Sequence, residues 1–245
     1  DNLLQRILAL VLALSLCLSA SPALAAEVAA SASTVQLNKT EGAVAVTNSA
    51  GRALTQLADM RLYSGNHVAT EAESYAWLML DSTKLNKLDA VSEIELRKKD
   101  KKLEVLLDKG NLYFNVTKPL EDQETLSSRT STMVVGIRGT SGWVKVVDEH
   151  NTLVYILEGT VWCTVTDPLS GQSKTTALSG GETARFTVYD QAREGDRCDI
   201  ALERFTETEI DGFVLAELLG DGPMCEKIYT DSGLDLRNLT EEQVR

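Results

Sequence analysis

Few residues of this 245-residue chain have the types and spacing that catalysis or metal binding requires. The two histidines, His67 and His150, lie in turn-like polar contexts, without further ligands at the spacing of a zinc site or a catalytic dyad. The serines form no G-x-S-x-G or S-x-x-K motif, and no pair of carboxylates stands out as an acid/base couple. We therefore predict a protein that is not an enzyme, with no catalytic residue, no metal and no cofactor.

Three cysteines follow the apolar N-terminus: Cys163, Cys198 and Cys225. An odd number in an exported protein leaves at least one thiol unpaired. A disulfide between Cys198 and Cys225 would fasten the C-terminal region to the domain before it. Three free thiols are the alternative, and the sequence does not decide between the two.

Three consecutive segments each combine a strand-like apolar run with a glycine and a neighbouring charge. They are Thr130–Val146 with Arg138, Leu153–Val165 with Glu158, and Leu178–Val188 with Glu182. A glycine beside a lone charge in a half-buried strand indicates a bulge or a tight bend. If Arg138 points inward it should face a carboxylate, for which Glu158 and Glu182 are the candidates. We therefore expect Arg138→Ala to destabilise the fold.

Residues before about 188 follow the period of two that is typical of strands, with turn signals between short runs. The basic cluster at 97–102 lies between two such runs and predicts a solvated hairpin tip. The residues expected in the core are Trp77, Met79, Leu106, Phe114, Val135, Ile137, Val144, Ile156 and Val161.

The order of the three segments resembles the second half of the FecR domain, whose pattern is roughly V-x-G-x-R-G-T, then L-E-G-x-V, then G-E-x-A. Upstream, Leu57–Thr70, Tyr75–Ser82 and Leu103–Val116 are similar to its first half, so the resemblance runs from about Gly42 to Val188. The residues that match the motifs, all expected to be structural, are Gly136, Arg138, Gly139, Thr140, Glu158, Gly159, Gly181 and Glu182.

This resemblance implies an all-β domain at 42–190, built as a twisted β-solenoid or double-stranded β-helix. A jelly-roll sandwich is the alternative. It also implies a signalling or regulatory module. The cytoplasmic anti-sigma segment and the transmembrane helix of the founding family members have no counterpart in this sequence, so sigma-factor regulation is not carried over.

The N-terminus has the parts of a secretory signal peptide. An apolar run at Ile7–Leu18 precedes Pro22 and a small-x-small site that ends at Ala25. The run is shorter than the roughly 20 residues that a membrane span takes. We predict a signal peptide at 1–25 cleaved after Ala25, a linker at 26–41, and a secreted, periplasmic or cell-surface protein without a transmembrane segment in its mature form. An uncleaved anchor is the alternative.

The last segment, 199–245, carries 12 acidic and 4 basic residues and accounts for −8 of the net charge of −12. A capping box at 206–209 and the helical spacing of Ile210, Phe213, Val214 and Leu218 predict a helix over Ile210–Leu219. So narrow an apolar face must dock on the β domain or on a partner. Thr240 is expected to cap a further helix near Glu241, so we expect this acidic helical tail to be truncated.

The sequence thus favours an exported FecR-like module that signals or binds protein at the bacterial envelope. Its partner would be an envelope protein or polymer, and its acidity disfavours nucleic acid. The alternative function is a carbohydrate- or peptidoglycan-binding module, for which Trp143, Trp162 and Tyr155 could form an aromatic platform if they are exposed.

Overall fold

The structure is a computed structural model, and its described residues are 35–55, 59–193 and 195–244. The predicted signal peptide, its cleavage site at Ala25 and the first part of the linker lie outside them. Among the described residues, the helices are all too short or too polar to cross a membrane.

The described residues form 17 strands in two sheets. Sheet A contains β1 (Val35–Glu41), β3 (Met60–Leu62), β5 (Tyr75–Asp81), β6 (Lys84–Leu88), β9 (Asn111–Val116), β12 (Ser141–Val146), β13 (Asn151–Glu158), β16 (Glu182–Arg193) and β17 (Asp196–Arg204). Sheet B contains β2 (Val44–Thr47), β4 (His67–Thr70), β7 (Glu93–Lys99), β8 (Lys102–Lys109), β10 (Thr125–Arg129), β11 (Met133–Ile137), β14 (Thr160–Thr166) and β15 (Ser173–Ser179).

The chain passes repeatedly from one sheet to the other. Sheet A has the order β17-β16-β13-β12-β9-β6-β5-β1-β3, and sheet B has the order β15-β14-β11-β10-β8-β7-β4-β2. All strand pairs are antiparallel except β8 with β10. The turn between β7 and β8 carries the basic cluster at 97–102, as predicted for a hairpin tip. The described strands run from Val35 to Arg204, beyond the predicted β range of 42–190 on both sides, because β1 and β17 pair with β5 and β16.

The main core lies between the two sheets, where alternate side chains of their facing strands meet. Six of the nine expected core residues belong to it and are at most 2% exposed: Phe114, Val135, Ile137, Val144, Ile156 and Val161. The other three, Trp77, Met79 and Leu106, are not in this core. In β5 the inward residues are instead Ala76, Leu78 and Leu80. Trp77 and Leu106 are nevertheless buried, each 9% exposed. The prediction chose the wrong phase of β5 because both faces of that strand are apolar, whereas Leu106 lies among the charged residues of the outer face of β8.

Helices follow β17, as predicted for the acidic tail, but the first residues of the predicted tail, up to Arg204, belong to that strand. A 3₁₀ turn at Glu207–Glu209 leads into α1 (Gly212–Leu218), α2 (Gly222–Ser232) and α3 (Glu241–Val244). The capping box is formed: Thr206 N donates to Glu209 Oε2 at 2.8 Å. Phe213 is 6% exposed, so the predicted helix does pack its apolar face.

A second hydrophobic cluster joins these helices to the outer face of sheet A. Tyr113, Trp143 and Leu157 from the sheet pack with Phe213, Leu218 and their neighbours. The acidic tail therefore docks on the β domain. Cys198 and Cys225 are buried free thiols that lie in different hydrophobic clusters, so this structure does not contain the predicted disulfide and the docking takes place without it.

Candidate interaction surface

The motif glycines converge at one corner of the molecule. Gly139, Gly159 and Gly181 all have positive φ, and Gly180 N donates to Gly159 O at 3.0 Å. A Cβ on Gly159 would lie 2.5 Å from Thr140 Cγ2 and 3.0 Å from Gly139 O. Only glycine permits this backbone approach at that φ. The spacing of these glycines in the sequence therefore reflects stacked turns, not a phosphate-binding loop.

The motif charges do not pair with one another. Glu158 is 8% exposed, and its Oε1 lies 3.0 Å from Lys227 Nζ of α2. Glu182 Oε2 accepts a hydrogen bond from Ser179 N at 2.7 Å. Arg138 is exposed and has no hydrogen bond or ion pair with the described residues. The pairing expected of Arg138 with Glu158 or Glu182 required an inward side chain, and the structure instead directs it to solvent just after the end of β11.

Helix α2 covers this corner. Asp231 Oδ2 accepts a hydrogen bond from Gly159 N at 2.8 Å, and Arg204 Nη2 donates to Ser232 O at 3.0 Å. Two buried motif oxygens, Thr140 Oγ1 and Glu158 Oε2, lack a hydrogen-bond partner among the described residues. The motif corner thus serves as the support for the tail.

Helix α1 covers the aromatic face of sheet A through directed contacts. Lys87 Nζ, in a residue 3% exposed, lies 2.9 Å from both Phe213 O and Glu217 Oε1. Trp77 Nε1 donates to the same Glu217 oxygen at 2.8 Å. These contacts neutralise a buried lysine and fix the helix on the sheet.

The predicted aromatic platform does not exist, because two of its three rings are covered. Trp143 is fully buried and stacks on Tyr155, with centroids 4.4 Å apart and planes 3° from parallel. Phe205 contacts both rings edge-on, and Trp143 Nε1 donates to Asp211 Oδ2 at 3.1 Å. Only Trp162 presents its ring to solvent, and it lies on the other sheet. This arrangement argues against the alternative of sugar stacking on a platform of three rings.

Trp162 stands on the outer face of sheet B and is 62% exposed. Its cross-strand neighbours are Gly136 on β11 and Ala177 on β15. Neither has a side chain large enough to cover an indole, so the ring remains accessible from both sides.

The strip around Trp162 on β14 and β15 is uncharged and rich in hydroxyl groups. Its outward hydroxyls pair across the strands at 3.1, 2.9 and 2.8 Å: Thr160 with Ser179, Thr164 with Thr175, and Thr166 with Ser173. These pairs hold the two strands in register and leave a flat surface around the indole.

Arg138 belongs to the same face. It follows the end of β11 and is in phase with Gly136, the residue opposite Trp162. Arginine and tryptophan are among the residue types that most often dominate protein interfaces, and both Arg138 and Trp162 are exposed here. We call this outer surface of β11, β14 and β15, with Arg138 and Trp162, the Trp162 face. Sequence reasoning named both residues but assigned them to other roles.

One histidine and two carboxylates lie close together on sheet B, and two of the three side chains are exposed. Ligand atoms of His67, Glu93 and Asp108 all lie within 4.8 Å of one another, and His67 Nδ1 is 4.0 Å from Glu93 Oε1. Burial, together with the charges of Glu93 and Glu95, raises the pKa of Asp108.

Comparison with known proteins identifies part of the chain. Residues 66–162 match the family model described as FecR protein. This confirms the resemblance inferred from the motifs: the matched range contains Arg138, Glu158 and Trp162, and it ends before Gly181 and Glu182.

Two crystal structures of a "putative anti-sigma factor" from Parabacteroides distasonis align with part of this chain. The first has 15% sequence identity and a TM-score of 0.47, and the second has 13% and 0.48. Each alignment covers 67% of this chain and 74% of the other. The search of curated proteins gave no match.

Proposed function

Because residues 66–162 match the FecR family model, we propose that this protein is a non-enzymatic regulatory module that acts by binding another protein. The observation that carries the proposal is the Trp162 face, where Trp162 is 62% exposed and Arg138 has no partner among the described residues. The other large aromatic surface, on sheet A, is already covered by the protein's own helices.

The energetic argument rests on what each residue would gain on binding. An indole that becomes fully buried removes a large apolar area from water, and burial stabilises by roughly 25 cal/mol per Å². An arginine without an internal partner can form a new charge-assisted hydrogen bond with a partner's carboxylate or carbonyl groups. Both residues can therefore contribute to binding without disrupting the fold.

The proposal also includes the location of the protein and the type of its β fold. The signal-peptide pattern at 1–25 supports export to the cell envelope. The repeated crossing of the chain between sheets A and B supports the double-stranded β-helix over the jelly roll. The β domain, whose described strands run from Val35 to Arg204, together with the acidic helices docked on it, is the unit that we propose binds the partner.

The test is genetic complementation with matched surface variants. Deletion of the gene in its source organism should change a defined set of transcripts, and the wild-type gene should restore them. Trp162→Ala and Arg138→Ala should fail to restore them at normal protein levels. Tyr63→Ala removes another exposed aromatic, 53% exposed and outside the Trp162 face, and should restore them fully. Full restoration by Trp162→Ala would overturn the proposal.

A further inference from the structure

The two sheets have four outer edges, and three of them are protected against pairing with another strand. Unpaired edge strands are templates for association unless they are short, covered or charged. Strand β3 has only three residues. Strand β2 has four, and residues 52–54 fold over it, with Leu54 N donating to Val46 O at 2.8 Å. Strand β17 carries five charged residues among its nine.

The fourth edge, β15, has none of these features. It is seven residues long, SKTTALS, without proline and with a single charge. That charge, Lys174, is directed away from the edge: its Nζ donates to Cys198 O at 2.7 Å and forms an ion pair with Asp196. Strand β15 pairs with β14 on one side and with no described strand on the other.

The hydrogen-bond pattern shows which backbone groups of β15 face outward. Gly180 N donates to Gly159 O, and Asp167 N donates to Gln172 O. Hydrogen-bonded pairs alternate along an antiparallel ladder. The even-numbered residues of β15 therefore bond to β14, and the backbone groups of Ser173, Thr175 and Ala177 point to the open side. Ser179 has the same phase, but its N–H already donates to Glu182 Oε2 at 2.7 Å.

We propose that the β15 edge pairs with β15 of a second copy of this chain, antiparallel about a two-fold axis at Thr176. This register sets Thr175 opposite the partner's Ala177, so their outward backbone groups meet. Ser179, whose N–H is bonded to Glu182, lies at the end of the overlap. Lys174 then lies opposite the partner's Leu178, and the two lysines do not face each other. The strand is thus complementary to itself, as an isologous interface requires.

The dimer would join the two copies of sheet B into one continuous sheet. Three strand spacings would separate the Trp162 positions of the two copies, about 14 Å along the sheet. Both Trp162 faces would then lie side by side on one surface. The inference stands on the four edges alone and is independent of the proposed function.

Light scattering coupled to size-exclusion chromatography tests the dimer across a dilution series. The wild-type protein should run as a dimer that dissociates on dilution. Thr175→Pro removes one outward N–H while leaving the bonds to β14, so it should run as a monomer at every concentration. Leu202→Pro is the matched control on the edge of β17: since Phe205 N donates to Gly181 O, the N–H of Leu202 also faces outward. It should dimerise like the wild type.

A wild-type protein that stays monomeric throughout, or a dimer that persists in Thr175→Pro, would overturn the proposal. If Thr175→Pro does not fold, hydrogen exchange on the wild type replaces it. The amides of Thr175 and Ala177 should be protected in concentrated protein and exchange after dilution. Free exchange of both amides in a dimeric sample would place the interface elsewhere and overturn the proposal.

Discussion

Gly159 N donates a hydrogen bond of 2.8 Å to Asp231 Oδ2, which joins a motif glycine of the β domain to the last turn of α2. The ion pair of Glu158 with Lys227, at 3.0 Å, lies beside it. The β domain and the acidic tail therefore fold as one structure, and the motif corner is a stability element. We therefore place the proposed binding site on a surface that the tail does not cover.

Gly159→Ala should be far more damaging than Gly171→Ala, although both glycines have positive φ. The strain of a left-handed φ costs roughly 1–2 kcal/mol at either position. At Gly159 the new Cβ also meets Thr140 and the Gly139 carbonyl, whereas nothing lies within 4 Å at Gly171. Urea unfolding measures the difference. Equal losses in the two variants would show that the close approach at the corner does not matter.

Phe213→Ala should destabilise the protein by about 3 kcal/mol or more, as expected for a buried aromatic. Phe213 is 6% exposed and packs in the cluster between α1 and sheet A. Val147→Ala, at a residue 45% exposed, is the control and should change stability little. Thermal melts measure the stability of both variants, and binding of a hydrophobic dye measures their exposed apolar surface. Equal stability and equal dye binding in the two variants would show that the packing of Phe213 against sheet A does not stabilise the protein.

Arg138→Ala should leave the free energy of unfolding within about 0.5 kcal/mol of wild type, as is usual for exposed sites. This reverses the expectation from sequence, because Arg138 is exposed and has no partner among the described residues. Circular dichroism melts of the variant and the wild type provide the comparison. A clear drop in melting temperature would mean that the arginine has a structural partner after all.

Acid should lower the stability of the fold in part by protonating the two partners of Lys84. This lysine is 7% exposed and forms ion pairs with Asp81 and Glu124. Burial alone would raise the pKa of both carboxyl groups, but hydrogen bonds from Lys84 and from backbone amides outweigh it and lower both pKa values. Groups with a lowered pKa in the folded state stabilise it above their unfolded pKa, about 4. That stabilisation is lost as the pH falls through the folded values.

The free energy of unfolding should therefore fall less in Lys84→Met than in the wild type when the pH is lowered from neutral to below about 4. Urea titrations at several pH values give the two curves. Parallel curves would show that Lys84 does not set the pKa of these carboxyl groups.

The sequence predicted the strand content, the helical tail and the positions of the motif turns, because these depend on local periodicity and on glycine. It could not predict the phase of β5, since Trp77 and Leu78 are both apolar and both faces of that strand are covered. Nor could it separate Trp143 from Trp162, since both occur in similar strand patterns. Their exposure depends on which sheet α1 covers, and that is a property of the tertiary fold.

Site-specific photo-cross-linking tests the central claim most directly. A photoreactive residue replaces Trp162 in one variant and Tyr63 in another, and both variants are irradiated in cells of the source organism. The account predicts a discrete protein adduct of the same mass in every preparation from position 162 and none from position 63. The absence of an adduct at 162, or the same adducts at both positions, would contradict binding through the Trp162 face.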